Sequence, residues 1–117
     1  MRTESLKATE AECAEGRTAP RVSLADIEAN IDTVAYIPGS VILDNHDGTY
    51  STGAYAAAMV LTLCLVVTRS GFTIIGKSAP ASADNFDAEL GRKLAYEDAV
   101  RQLWPLMGYA LREKLVQ

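Results

Sequence analysis

Between Gly71 and Leu115 the chain passes from a two-residue apolar alternation, through a turn-rich loop, into one long helical repeat, and no other stretch limits the fold so tightly. Phe72, Ile74 and Gly76 alternate with Thr73, Ile75 and Lys77, the spacing of a strand. The run from Ser78 to Ala83 is punctuation. Beyond it, Phe86, Leu90, Leu94, Ala95, Ala99, Val100 and Leu103 fall on one helix face, with Arg92, Lys93, Glu97, Asp98 and Gln102 on the other. Asp84 or Asn85 is placed to cap this helix, and Asp87 and Glu89 then meet the positive end of its dipole. Gly91 interrupts the stripe at roughly 1 kcal/mol of helix propensity relative to alanine. Close packing of that turn against a sheet would offset the loss. Pro105 lacks an N–H and disfavours helical geometry at Trp104, so the pattern predicts a kink or restart there.

Upstream, Met59–Thr68 reads as a central strand. Leu61, Leu63, Leu65 and Val67 share one face, and Val60, Thr62, Cys64 and Val66 the other. Arg69-Ser70-Gly71 joins it to the next strand as a hairpin. The wider apolar run, Ala54–Val67, is shorter than the roughly 20 residues a bilayer-spanning helix needs, and is read as a buried strand with no membrane role. Val34–Ile37 and Val41–Leu43 are β-prone pieces broken by Pro38-Gly39, a bent or edge strand, and Asp44–Thr49 is a turn or exposed loop. Ser23 has the setting of an N-cap, with Asp26 in the first turn of a short helix from Leu24 to Ile31. Residues 1–19 are polar and poor in large apolar groups, and are expected to be a flexible leader, a tail or frayed helix. Residues 20–117 then form a single α+β domain: an antiparallel hairpin or small sheet packed on a long, Pro-kinked C-terminal helix, with a short N-terminal helix.

Charge narrows the partners. The 11 Lys and Arg residues are scattered among 15 acidic ones, for a net charge of -4, so no basic stripe recommends nucleic acid. Cys13 and Cys64 have no metal-type spacing and read as reduced thiols of a cytoplasmic chain. The first residues lack the continuous apolar stretch of a signal peptide. A chain of 117 residues buries a modest core, and a homo-oligomer is the natural way to complete it.

The residues that carry chemistry do not converge. His46 lies between Asp44 and Asp47 but has no second histidine to complete a metal site, and reads as part of a solvated turn. Gly71–Ser78 literally spells G-x-x-x-x-G-K-S, yet Phe72-Thr73-Ile74-Ile75 is a strand where a phosphate loop needs a cradle opening into a helix. Lys77 and Ser78 are adjacent on that strand and face opposite ways, which rules them out as nucleophile and base. No catalytic set, metal site or cofactor is therefore expected. The candidate ligand-binding residues are Lys77, Ser78 and Asn85, in the loop before the long helix, with Trp104 and Tyr109 flanking Pro105 as rings that could stack on a base.

An ordered series of short matches runs through this half: Gly71-Phe72-Thr73, Gly76-Lys77-Ser78-Ala79, Asn85-Phe86-Asp87, Gly91-Arg92-Lys93, Ala95-Tyr96, Ala99, and Trp104-Pro105-Leu106-Met107-Gly108-Tyr109-Ala110-Leu111. In these residues the chain resembles a family of small bacteriophage proteins named after gene product forty-nine of one phage and gene sixty-six of another. The resemblance is strong over residues 58–115 and looser from Thr18 to Ile31. Family members usually carry an acid where this chain has Met107, and the loop from Pro38 to Tyr55 is particular to this chain. What the resemblance implies is context: a phage accessory protein made in the host bacterial cytoplasm, of a kind that commonly counteracts a host defence stoichiometrically. Its expected partner is a host defence protein. The alternatives are a nucleotide-like defence signal held as a sponge, or a structural role in the phage.

Overall fold

The computed structural model describes residues 4–16 and 19–117. Their helices are α1 (Glu4–Ala14), α2 (Leu24–Asn30), α3 (Ser40–Asp44), α4 (Thr52–Met59) and α5 (Ala88–Leu115), and their strands β1 (Ile31–Pro38), β2 (Thr62–Thr68) and β3 (Thr73–Ser78). The three strands form one antiparallel sheet in the order β1-β2-β3, which makes β2 central and β1 an edge. With α5 laid along the sheet and α2 before it, the fold is α+β, as the hydrophobic periods predict.

Alternation along β2 decides which face is covered. Thr62, Cys64, Val66 and Thr68 are buried, while Leu63, Leu65 and Val67 are only half-buried. On β3, Ile74 and Gly76 point inward with them. Against this face α5 buries Ala95, Tyr96, Ala99, Val100 and Leu103, and Leu24 and Ile27 of α2 complete the core. Small residues set the distance. A Cβ on Gly76 would lie 2.0 Å from the Ala95 carbonyl oxygen, so β3 and α5 touch there through their backbones, and one on Gly91 would lie 2.7 Å from Thr62 Oγ1, so that turn of α5 rests on a threonine side chain of β2. The free edge of β3 is sealed from the same helix: Asp98 Oδ2 accepts from the Lys77 N–H at 3.0 Å, and Gln102 Nε2 donates to the Ile75 carbonyl at 2.8 Å.

Helix α2 is capped at both ends. Ser23 Oγ accepts from the Asp26 N–H at 3.0 Å, and Asp26 Oδ2 accepts from the Ser23 N–H at 2.9 Å, a reciprocal capping box. That bond to the Ser23 N–H holds the Asp26 carboxyl below the usual carboxylate range. At the other end Arg69, in the hairpin turn, donates through Nε to the Ala29 carbonyl at 2.7 Å, placing a cation at the negative end of the dipole. The helix ends one residue earlier than its apolar face suggests, because Ile31 already has the extended geometry of β1.

The structure departs from the sequence reading in four places. Residues 4–14 of the polar leader are helical, and Leu6, 1% exposed, joins the core; residues 1–3 and 17–18 of that leader lie outside the described residues. Ser5 Oγ donates to Glu97 Oε2 at 2.6 Å, and Glu10 Oε2 accepts from the Leu24 N–H and pairs with Arg21 Nη1 at 3.5 Å, so Leu6 and these polar contacts hold a segment that composition alone would leave loose. Glu97, placed by periodicity on the polar face of α5, is consequently buried.

The second departure is the apolar run 54–67, which is not one strand. Ser51 caps α4 by accepting from the Ala54 N–H at 3.0 Å, and the alanines that follow have the highest helix propensity of any residue, so only the Leu- and Val-rich part pairs as β2. Third, Val41–Leu43 belongs to helix α3, whose last turn is closed by Asn45 Nδ2 donating to the Val41 carbonyl at 2.9 Å. Helices α3 and α4 pack mainly on each other as an arm leaving the Pro38–Thr62 end of the sheet. Fourth, α5 is capped by Asp87, not by Asp84 or Asn85; with Pro105 inside it, the helix continues to Leu115 as the sequence pattern predicts.

Candidate functional site

The segment between β3 and α5 builds the site. Ser82 Oγ accepts weakly from the Asp84 N–H at 3.4 Å, starting a single 3-10 turn over Ala83–Asn85 that ends when the Phe86 N–H reaches the Ala83 carbonyl. Asp87 then caps α5 by accepting from the Leu90 N–H at 3.1 Å. Phe86 is left just outside the helix. A ring there commonly packs on the side chain four positions into the helix, but that position is Gly91, so Phe86 has no staple partner and stays 39% exposed.

Two clefts share this ring. The larger, about 260 Å³, lies among Tyr36, Ile37, Pro38, Thr62, Ala88 and Arg92. The smaller, about 80 Å³, is lined by Ser78, Asn85 and Phe86 together with Asp87, Leu90 and Gly91. Arg92 forms no ion pair among the described residues. The groove around Phe86 therefore offers an exposed ring, a tyrosine, a guanidinium, an amide and a hydroxyl. Its anion-attracting group is Arg92; the N-terminus of α5 is occupied by the Asp87 carboxylate.

Of the five residues singled out from sequence, the structure brings together Ser78 and Asn85. Lys77 is exposed on the side of β3 away from α5. Trp104 is half-buried against the core, with Nε1 donating to the Val22 carbonyl at 3.2 Å. Tyr109 is 68% exposed and, five residues further along, is turned about 140° from Trp104 around the helix, so the two rings do not form a joint stacking surface. No sequence pattern marks Tyr36 or Arg92 as site residues, and periodicity alone places Phe86 on the apolar face of α5. The signal that separates Phe86 is Asp87: with Asp87 as N-cap, not a first-turn residue, the ring drops out of the helical repeat.

His46 is more enclosed than a solvated turn requires. Its Nδ1 donates to the Leu43 carbonyl at 2.6 Å, its ring lies 5.1 Å from that of Tyr50, and Nε2 is buried without a partner. Tyr50 stacks on Tyr55, whose hydroxyl donates to Asp44 Oδ1 at 2.9 Å; that bond raises the Tyr55 pKa. Asp44 is thus committed within the arm. Among the described residues no group of three His, Cys, Asp or Glu side chains is arranged to hold a metal ion.

The sequence profile of the family described as Phage protein (N4 Gp49/phage Sf6 gene 66) matches residues 22–115. The chain belongs to this family. The match includes α2, the whole sheet, the arm and α5, and so contains every residue of the Phe86 groove, whereas α1 precedes it. No curated protein and no solved structure matches the chain. Among the described residues of this phage protein, no helix is long and apolar enough to cross a membrane.

Proposed function

We propose that this phage protein acts in the host cytoplasm by stoichiometric binding, and that its ligand is a small nucleotide-like molecule of the kind that signals host defence, held in the groove around Phe86. The observation that carries this reading is the sharing of one exposed ring by two clefts that also present Arg92 and Asn85. A nucleotide has a flat base to lie on Phe86 or Tyr36, phosphate oxygens for the Arg92 guanidinium, and polar base edges for Asn85 and Ser78. The groove lining contains no histidine or cysteine, and its carboxylate, Asp87, is engaged as a helix cap. Binding and holding is the chemistry this set suits, and turnover forms no part of the proposal.

A second reading, masking of a host defence protein, draws support from the far end of α5. Buried residues on that helix stop at Leu103, and beyond it Leu106, Tyr109 and Leu115 stand exposed. Native mass spectrometry separates the two. The protein is incubated with lysate of defence-activated cells, repurified and weighed, alongside Phe86→Ala, Arg92→Ala and Tyr109→Ala variants. A retained small mass that absorbs as a nucleotide and is lost in the first two variants supports the groove. A retained host protein lost only with Tyr109→Ala supports masking and overturns the groove. Retention of neither overturns both and leaves a structural role in the phage.

A further inference from the structure

We propose that the face of the β1-β2-β3 sheet turned away from α5 is a self-association surface, and that its occupant is a second copy of this chain. The pairing register lays out that face row by row: Ala35 beside Leu65 beside Ile75, Ile37 beside Leu63 beside Lys77, and Thr33 beside Val67 beside Thr73. A half-covered antiparallel sheet ordinarily alternates apolar-in and polar-out. Here the outward positions of the central strand are Leu63, Leu65 and Val67, with Ile75 and Ile37 52% and 43% exposed on either side. Its charges stand at the margins: Lys77 at one corner, and at the far end the Asp32–Arg69 pair beside Thr33, whose Oγ1 donates to Asp32 Oδ2 at 2.8 Å.

The chain as a whole exposes more surface than its size requires. A folded chain of 12.6 kDa ordinarily exposes about 6,200 Å², and this one exposes 7660 Å². The excess, on the order of 1,400 Å², is close to what each partner buries in an obligate homodimer. The Cα radius of gyration, 17.0 Å, likewise exceeds the roughly 13 Å of a compact domain of this length. Helix α4 contributes to the excess, since none of its residues is buried and eight residues are too few for a helix to persist alone in water.

Self-complementarity selects the copy over an unrelated protein. A surface whose centre is uncharged has little with which to orient a dissimilar partner, whereas a two-fold axis through Leu65 lays apolar row on apolar row and keeps the two Lys77 ammonium groups apart at its margins. Two such sheets pack face to face about 10 Å apart.

Sedimentation velocity on the full chain at micromolar concentration tests this. The expected result is a dimer, or an even multiple of it, that Ile75→Glu and Ala35→Glu each weaken on the order of 100-fold or more, because the new carboxylate is buried without a partner. Both substitutions are at exposed positions of the single chain, so circular dichroism should remain that of the wild type. Should either variant unfold, Leu65→Cys in a Cys13→Ser background provides the second test, with oxidation expected to link two chains on a non-reducing gel. A wild-type monomer overturns the proposal and leaves the face to another macromolecule. An oligomer whose mass survives both glutamates, or a Leu65→Cys chain that does not cross-link, overturns the assignment of this surface.

Discussion

Gly76 and Ala95 meet backbone to backbone: a Cβ on Gly76 would sit 2.0 Å from the Ala95 carbonyl oxygen, and also 2.7 Å from the Ala99 N–H nitrogen. Neither atom can yield without moving β3 or α5. Gly76→Ala is therefore expected to cost about 3 kcal/mol or more, at the upper end of overpacking effects. Gly91→Ala meets only the Thr62 hydroxyl, a side-chain atom, and gains about 1 kcal/mol of helix propensity. The two variants should part sharply in urea denaturation, with Gly91→Ala near wild type and Gly76→Ala strongly shifted or unfolded. Equal midpoints would contradict the backbone contact between Gly76 and Ala95.

Leu6 and Ser5 anchor α1 to the domain, Leu6 by joining the core and Ser5 by its bond to Glu97 of α5. Truncating Leu6 to alanine should cost about 3 kcal/mol if α1 unfolds only together with the domain. Hydrogen exchange reads this directly. Amides of α1 should exchange as slowly as those of α5 in the wild type and much faster in Leu6→Ala, and fast exchange in both would show that α1 opens on its own.

This element also shows where sequence reading reached its end. The strand pattern around Cys64 and Ile74, the Ser23 cap and the helix beyond Asp87 were legible because each is set by neighbours within a few residues. Helix α1 rests on Leu6 finding a site built by residues far along the chain, which no local period reveals. The same holds for Glu97, polar by pattern yet buried because Ser5 satisfies it. In the arm, alanine's helix propensity and the Ser51 cap outweigh the apolar content that reads as strand. At the candidate site, Ser78 and Asn85 were found through their loop, while Tyr36 and Arg92 reach the groove from separate elements.

The capping box gives a pH dependence with a definite sign. Asp26 has a folded-state pKa lowered by its bond to the Ser23 N–H, so its contribution is complete above the unfolded value of about 3.9 and is lost as pH falls through the lower folded value. Ser23→Ala should lower stability by about 1 kcal/mol at neutral pH. Thermal midpoints measured from neutral pH downward should fall less steeply for Asp26→Asn than for wild type below the unfolded pKa. Parallel curves would remove Asp26 from the acid response.

Pro105 is exposed within α5 and deprives the Arg101 carbonyl of its helical donor. Pro105→Ala is accordingly expected to stabilise the protein by up to about 3 kcal/mol. Calorimetry should register a higher midpoint, and an unchanged or lower one would mean that the proline sets a bend needed by a contact outside this chain.

Phe86 and Arg92 allow the proposed groove to be separated from general stability. Both side chains are exposed, Phe86 because Gly91 supplies no staple partner and Arg92 without an ion pair among the described residues, so replacing either with alanine should leave the ligand-free melting temperature nearly unchanged. A bound ligand at one hundred times its dissociation constant adds about 2.7 kcal/mol to the folded state. Thermal shift against a panel of mono-, di- and cyclic nucleotides should therefore raise the wild-type midpoint for at least one member. Arg92→Ala should lose most of that rise for phosphate-bearing compounds, whereas Phe86→Ala should also lose it for nucleosides, because stacking does not depend on charge. If Lys77→Ala abolished the shift while Arg92→Ala did not, the ligand would lie on the opposite side of β3 and the groove would be the wrong site.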